Sequence, residues 1–199
     1  MPLFPMFVKL SGRKCVVAGG GPIAASKATT LLADGAAVVV VAPQATEWIR
    51  TEARAGRLRW TPREFAAADL DGAFLAVAAT DAAEVNQEIF AACLARGVLC
   101  NVVDDPAHCD FFYPAVVRRG ALQIAISTDA HSPALARRLR MELEQQFGPE
   151  YEDWLEQLAE QRRQLLSGNL PAEERSARLE QIASRAAFEE FVSRRKSGH

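Results

Sequence analysis

Two short segments hold the residue types and spacing that could do chemistry. Residues 19–24 read Gly-Gly-Gly-Pro-Ile-Ala, and residues 101–106 read Asn-Val-Val-Asp-Asp-Pro. The first fits G-x-G-x-x-A. Glycines there let backbone N–H groups approach a pyrophosphate, and a helix starting at Pro22 adds the positive end of its dipole. Gly19, Gly21, Pro22 and Ile23 are therefore candidate dinucleotide contacts. Spacing alone is a weak signal, but the β-branched run Lys14 to Ala18 stops at this turn and helical spacing follows it to Ala33. The second segment ends an apolar run with two carboxylates. A carboxylate partly desolvated beside a cofactor can act as a base, and Asp104, directly at the strand end, is the candidate. Asp105 is expected to shape the turn before Pro106.

The elements that must position these residues follow from the pattern. Ala37 to Val41 is a run of valines too apolar for a sheet with one wet face, so it reads as a strand covered on both sides. A helix at Thr46 to Ala55, a short strand at Leu58 to Trp60, a strand at Ala73 to Ala79, a helix at Asp81 to Arg96 stopped by Gly97, and a strand at Val98 to Val103 continue the alternation. This predicts a doubly wound α/β fold, a Rossmann-like parallel sheet, over about the first 110 residues. The C-terminal strand ends of such a sheet share one edge. Pro43-Gln44, Thr80-Asp81 and Asp104-Asp105 should then converge on the glycine turn, which makes Pro43, Gln44, Thr80 and Asp81 further cofactor candidates. Thr80-Asp81 also reads as the N-cap of the next helix. After the second strand there is neither an acid for the ribose hydroxyls nor an Arg for a 2′-phosphate, so these residues leave NAD and NADP open.

From Phe111 onward the composition changes. Phe111 to Val117 and Leu122 to Ser127 read as two strands joined by a tight Arg118-Arg119-Gly120 connection. Ser132-Pro133 opens a helix to Phe147, closed by Gly148-Pro149. Glu150 to Lys196 reads as two or three amphipathic helices interrupted near residues 168–171.

Composition excludes several classes. A chain of 199 residues with 49% hydrophobic content can bury a real core, and a formal charge of -2 gives no global attraction to nucleic acid or anionic lipid. No apolar run is long enough to span a membrane, and the start Met1-Pro2-Leu3-Phe4-Pro5 lacks the order of a secretion signal, so a cytoplasmic protein is expected. Cys15, Cys93 and Cys100 sit in apolar runs and read as reduced, packed thiols. His108-Cys109-Asp110 has no second ligand cluster at metal spacing, and no metal site is expected. His131 reads as solvent-facing. Arg137, Arg138 and Arg140 could meet substrate carboxylates or pair with Glu142 and Glu144. The Tyr-x-x-x-Lys of short-chain dehydrogenases is absent: Val117 follows Tyr113, and Leu155 follows Tyr151, at that spacing.

The whole set resembles the precorrin-2 dehydrogenase and sirohydrochlorin ferrochelatase family, found alone or as the N-terminal module of siroheme synthase. The resemblance rests on Leu3 to Leu10, Val16 to Ala24, Lys27, Ala78 to Asp81 with Val85-Asn86, Asn101 to Pro106, Phe112 to Val116 and Ser132 to Arg137. It implies three parts: an NAD-binding domain at residues 1–112, a small α+β dimerisation segment at 113–147, and a helical C-terminal domain at 148–199. It further implies a homodimer, NAD contacts at Pro22-Ile23 and Pro43-Gln44, and an essential aspartate at Asp104. The implied reaction is NAD-dependent oxidation of precorrin-2 to sirohydrochlorin. Fe²⁺ insertion into sirohydrochlorin, known in some relatives, stays open. The chain departs from the family at Ser127 to Pro133, where relatives commonly have a Ser-Gly-Gly-Thr-Ser-Pro-like loop and this sequence has Asp129, Ala130 and His131. Two rival readings remain: a nucleotide-sensing regulatory domain without turnover, and a chelatase that uses the fold as scaffold.

Overall fold

The computed structural model of the chain describes residues 3–197. Met1 and Pro2 of the N-terminal reading, and Gly198 and His199 of the expected tail, lie outside the described residues. The chain divides into two compact units, residues 1–112 and 113–199.

The first unit is a five-stranded sheet. Its elements are β1 (Lys14–Ala18), α1 (Pro22–Ala33), β2 (Ala37–Val41), α2 (Glu47–Arg54), β3 (Arg59–Thr61), β4 (Leu75–Ala78), α3 (Ala83–Arg96) and β5 (Leu99–Val102). The order is β3-β2-β1-β4-β5 with every pairing parallel. The doubly wound fold expected from the alternation is what forms. Side-chain alternation on the strands explains it. Val16, Ala18, Val39, Val41, Ala76 and Ala78 turn to a core shared with Ile89 and Cys93 of α3, with Leu70, and with Cys100 and Val102. Val17, Val40 and Val77, paired in register, face the other way and are also fully buried. Each such valine is worth about 1.5–3 kcal/mol of apolar burial, which is why these runs cannot tolerate a wet face.

The start of α3 differs from the sequence reading. The N-cap of α3 is Ala82, and it makes no side-chain cap. Thr80 and Asp81 therefore do not cap the helix, because the Thr80 side chain is engaged by Asn86 (below). Gly97, at φ 64, ends α3 in the left-handed conformation that glycine takes without penalty.

The second unit begins with an antiparallel hairpin of β6 (Ala115–Arg119) and β7 (Leu122–Ile126). α4 (Pro133–Gln146) starts as expected, with the Ser132 hydroxyl accepting from the Leu135 N–H at 3.2 Å and Pro133 in the first turn. Its far end is satisfied from the hairpin: Arg119 donates to the carbonyls of Phe147 (2.8 Å) and Glu144 (2.9 Å), where a cation also suits the helix dipole. The tail forms three helices, α5 (Glu150–Ser167), α6 (Ala172–Ile182) and α7 (Arg185–Ser197). Phe147, Tyr151, Trp154 and Phe188 pack ring against ring and join the end of α4 to α5 and α7. Ser184, whose hydroxyl accepts from the Ala187 N–H at 3.3 Å, marks a second break the sequence reading did not locate.

Candidate functional site

Strand order changes direction between β1 and β4, because the chain winds outward from β1 to β3 and then from β4 to β5. Ligands of doubly wound sheets bind outside the strand C-termini at such a switch point. The loops lying there are Gly19 to Gly21 after β1 and Ala79 to Ala82 after β4, flanked by Pro43-Gln44 after β2 and by residues 103–111 after β5.

Each glycine of the turn has its own reason. Gly19 sits at φ 125, and a Cβ there would lie 2.2 Å from the Ala79 carbonyl oxygen, so the β1 and β4 loops touch backbone to backbone. A Cβ on Gly20 would lie 1.9 Å from the Gln44 carbonyl oxygen, and the Gly20 carbonyl accepts from the Thr46 N–H at 2.9 Å. Gly20 thereby locks the Pro43-Gln44 loop against the turn. Gly21 is the reverse: a Cβ there would meet nothing within 4 Å. It is the N-cap of α1 and offers no side chain, so the first N–H groups of the helix face the open side without a side-chain acceptor. Gly21, Pro22, Ile23, Pro43, Gln44 and Asp81 are exposed around this opening, Ile23 half so despite being apolar. A bare helix start facing open space beside two glycines that no side chain can replace suits a pyrophosphate.

Thr80 is held by Asn86, a polar side chain only 8% exposed. Asn86 Oδ1 accepts from the Thr80 hydroxyl (2.7 Å) and from the Thr80 N–H (3.2 Å), and its amide donates to the Thr80 carbonyl (3.0 Å). Asn86 thus fixes the β4 loop that Gly19 touches.

Asp104 follows β5, joined to β4 through the Val103 N–H, which donates to the Ala78 carbonyl at 2.9 Å. Its backbone is left-handed, φ 60, which non-glycine residues seldom adopt and Asp tolerates better than most. The partial burial suggested by its sequence position is not found: Asp104 is exposed. The loop beyond folds back along β5, where the Asp110 carboxylate accepts from the Cys100 N–H (2.8 Å) and the Asn101 amide donates to the Phe111 carbonyl (2.9 Å). Asp105 is bound to His108 Nδ1 at 2.7 Å, and His108 stands edge-on to Phe90. The Cys109 thiol lies 3.2 Å from the Val102 carbonyl and 3.3 Å from that of Asp105, bracketing Asp104, and burial pushes this thiol up so that it stays a neutral donor. Among the described residues no group of three or more His, Cys, Asp or Glu could hold a metal ion.

In the second unit, His131 is exposed, Arg138 pairs with Glu142 (2.8 Å) and Arg140 with Glu144 (2.5 Å). The Ser127 to Pro133 loop keeps a glycine-type backbone without glycine: Asp129 (φ 51) and Ala130 (φ 59) are both left-handed.

Fold and glycine turn together define a Rossmann-type dinucleotide-binding protein. Comparison with known proteins narrows this. Residues 6–115 match the family model described as "Putative NAD(P)-binding", and residues 119–146 match "Sirohaem biosynthesis protein central". The siroheme synthase of Photorhabdus laumondii subsp. laumondii is 43% identical over 144 residues, and that of Chromobacterium violaceum 44% identical over 144, in each case 72% of this chain and 31% of the relative. The chain thus spans under a third of the length of these curated relatives. A solved structure titled SirC, precorrin-2 dehydrogenase, superposes with a TM-score of 0.78 at 27% identity, covering 98% of this chain and 100% of that one. The chain belongs to the family described as putative NAD(P)-binding, and it is similar to siroheme synthases and to a precorrin-2 dehydrogenase.

Proposed function

We propose that this chain oxidises precorrin-2 to sirohydrochlorin with NAD as cofactor, in the cytoplasm and as a homodimer joined through residues 113–147. The reading is supported most by one observation: the glycine turn and the Asp104 loop stand at the C-terminal ends of β1 and β5, on the shared edge of one parallel sheet. NAD supplies a two-electron acceptor that takes up hydride. The chain's residues do the rest. Gly19 and Gly20 bring three loops into backbone contact, and the uncapped start of α1 at Gly21, Pro22 and Ile23, together with Pro43, Gln44, Thr80 and Asp81, would hold the dinucleotide. Asp104 takes the proton that leaves the tetrapyrrole as the hydride departs and returns it to water. Fe²⁺ insertion would draw on the same carboxylate, since pyrrole N–H protons must also leave; Fe²⁺ is then a substrate.

The test is an anaerobic assay with precorrin-2 and NAD, followed by absorbance, and then sirohydrochlorin with Fe²⁺. NAD-dependent appearance of sirohydrochlorin is expected. Tight NAD binding with no turnover would instead favour a nucleotide-sensing domain, and metal insertion without any NAD requirement would favour a chelatase.

A further inference from the structure

β5 is the outermost strand of its sheet, with β4 as its neighbour on the inner side. An open strand edge leaves N–H and C=O groups in want of partners, and a segment that returns along the edge satisfies them. Here the chain itself returns. The Asp110 N–H donates to the Cys100 carbonyl at 2.8 Å, and the Asp110 carboxylate accepts from the Cys100 N–H at 2.8 Å. Next along the strand, Asn101 bridges antiparallel to Cys109, and its side-chain amide donates to the Phe111 carbonyl at 2.9 Å and to the Cys109 Sγ at 3.3 Å. The residues between β5 and Cys109 are thereby closed into a loop tied at both ends to the sheet edge.

Asp104 stands at the near end of that loop. Val102 to Asp105 form a turn in which the Asp105 N–H donates to the Val102 carbonyl at 3.3 Å, and Asp104, at φ 60, is its third residue. A positive φ at that position is ordinarily given to glycine or asparagine. A residue held there against its preference persists because its surroundings over-determine it. The Cys109 thiol supplies such a hold, lying 3.2 Å from the Val102 carbonyl and 3.3 Å from that of Asp105 at the two ends of the turn. We infer that Asp110 is a positioning residue for the proposed dehydrogenation: by tying the returning chain to Cys100, it keeps Cys109 against the turn and so holds Asp104 in its left-handed conformation. This rests on the function proposed above for Asp104, but the tie itself can be measured without substrate. Asp110 acts through an acceptor oxygen rather than through its charge, so asparagine can replace it where alanine cannot.

The experiment measures amide hydrogen exchange by NMR in the full chain, in Asp110→Ala and in Asp110→Asn, with Val17 of the central strand β1 as the reference amide. In Asp110→Ala the Cys100 N–H should exchange about tenfold faster while Val17 exchanges as in the parent; in Asp110→Asn both should stay near the parent. Unchanged exchange at Cys100 in Asp110→Ala overturns the tie, whatever the enzyme does. Turnover then tests the role. Asp110→Ala should lose about tenfold in kcat for precorrin-2 oxidation at unchanged NAD affinity, and Asp110→Asn should restore most of that rate. A parental kcat in Asp110→Ala refutes the positioning role. So does an equal loss in Asp110→Asn, which would make the charge the active property. If Asp110→Ala does not fold, Asp110→Asn decides alone: near-parental exchange and kcat uphold the role, and a tenfold loss of kcat overturns it. If the parent chain does not oxidise precorrin-2 at all, the function fails while the tie stands.

Discussion

Gly20 and Gly21 are neighbours under opposite constraints. Alanine at Gly20 would push its Cβ into the Gln44 carbonyl at 1.9 Å, a backbone atom that cannot swing away. We expect Gly20→Ala to cost about 1–3 kcal/mol of stability, seen as a lower denaturation midpoint. Gly21 faces open space. Gly21→Asp should keep the fold yet weaken NAD on the order of tenfold in Kd, by placing a like charge beside the pyrophosphate; an unchanged Kd would count against the pocket. The fingerprint alone could not separate these roles, because it treats the middle glycine as any residue, whereas the structure makes it the contact with the β2 loop. Asp104 was legible from its place at the end of an apolar run. Its left-handed backbone was not, since nothing in Val-Val-Asp-Asp-Pro demands it, and its exposure contradicts the burial its position suggested. Ala130 tells a related story. A left-handed alanine costs roughly 1 kcal/mol relative to glycine, so Ala130→Gly should stabilise the chain by up to about that amount in urea unfolding, and a loss of stability would show that the loop is held by something else.

Among the elements, strands β1, β2, β4 and β5 and helices α1, α3 and α4 stand close to where periodicity put them, because runs of valine and capping residues such as Gly97 and Ser132 speak locally. The start of α3 does not. A Thr-Asp pair looks like a cap, but Asn86, one turn inside the helix, claims Thr80 first, and a contact across six residues leaves no local trace. Asn86→Ala removes three hydrogen bonds to Thr80 and leaves its N–H without that acceptor. The expected cost is about 1–3 kcal/mol by chemical denaturation, with a parallel loss of NAD affinity by calorimetry as the β4 loop loosens. Full stability with full affinity would remove Asn86 from the site. The break at Ser184 has a local cap, its hydroxyl accepting from the Ala187 N–H, and beyond it Phe188 packs on Tyr151 and Trp154.

At the scale of the molecule, one feature supports the proposed second copy of the chain. Phe4, Met6 and Phe7 are 83%, 62% and 70% exposed. The scattering mass at micromolar concentration should therefore be twice the 21.7 kDa of one chain, and a monomer at every concentration would rule the dimer out. The central claim is that a parallel sheet brings Asp104 to the edge where its glycine turn holds the dinucleotide. The most direct measurement is Asp104→Asn, assayed for anaerobic oxidation of precorrin-2 alongside NAD affinity. The account predicts that turnover falls by about 10²–10⁴ while NAD binds as in the parent chain. Near-normal turnover in that variant would contradict it.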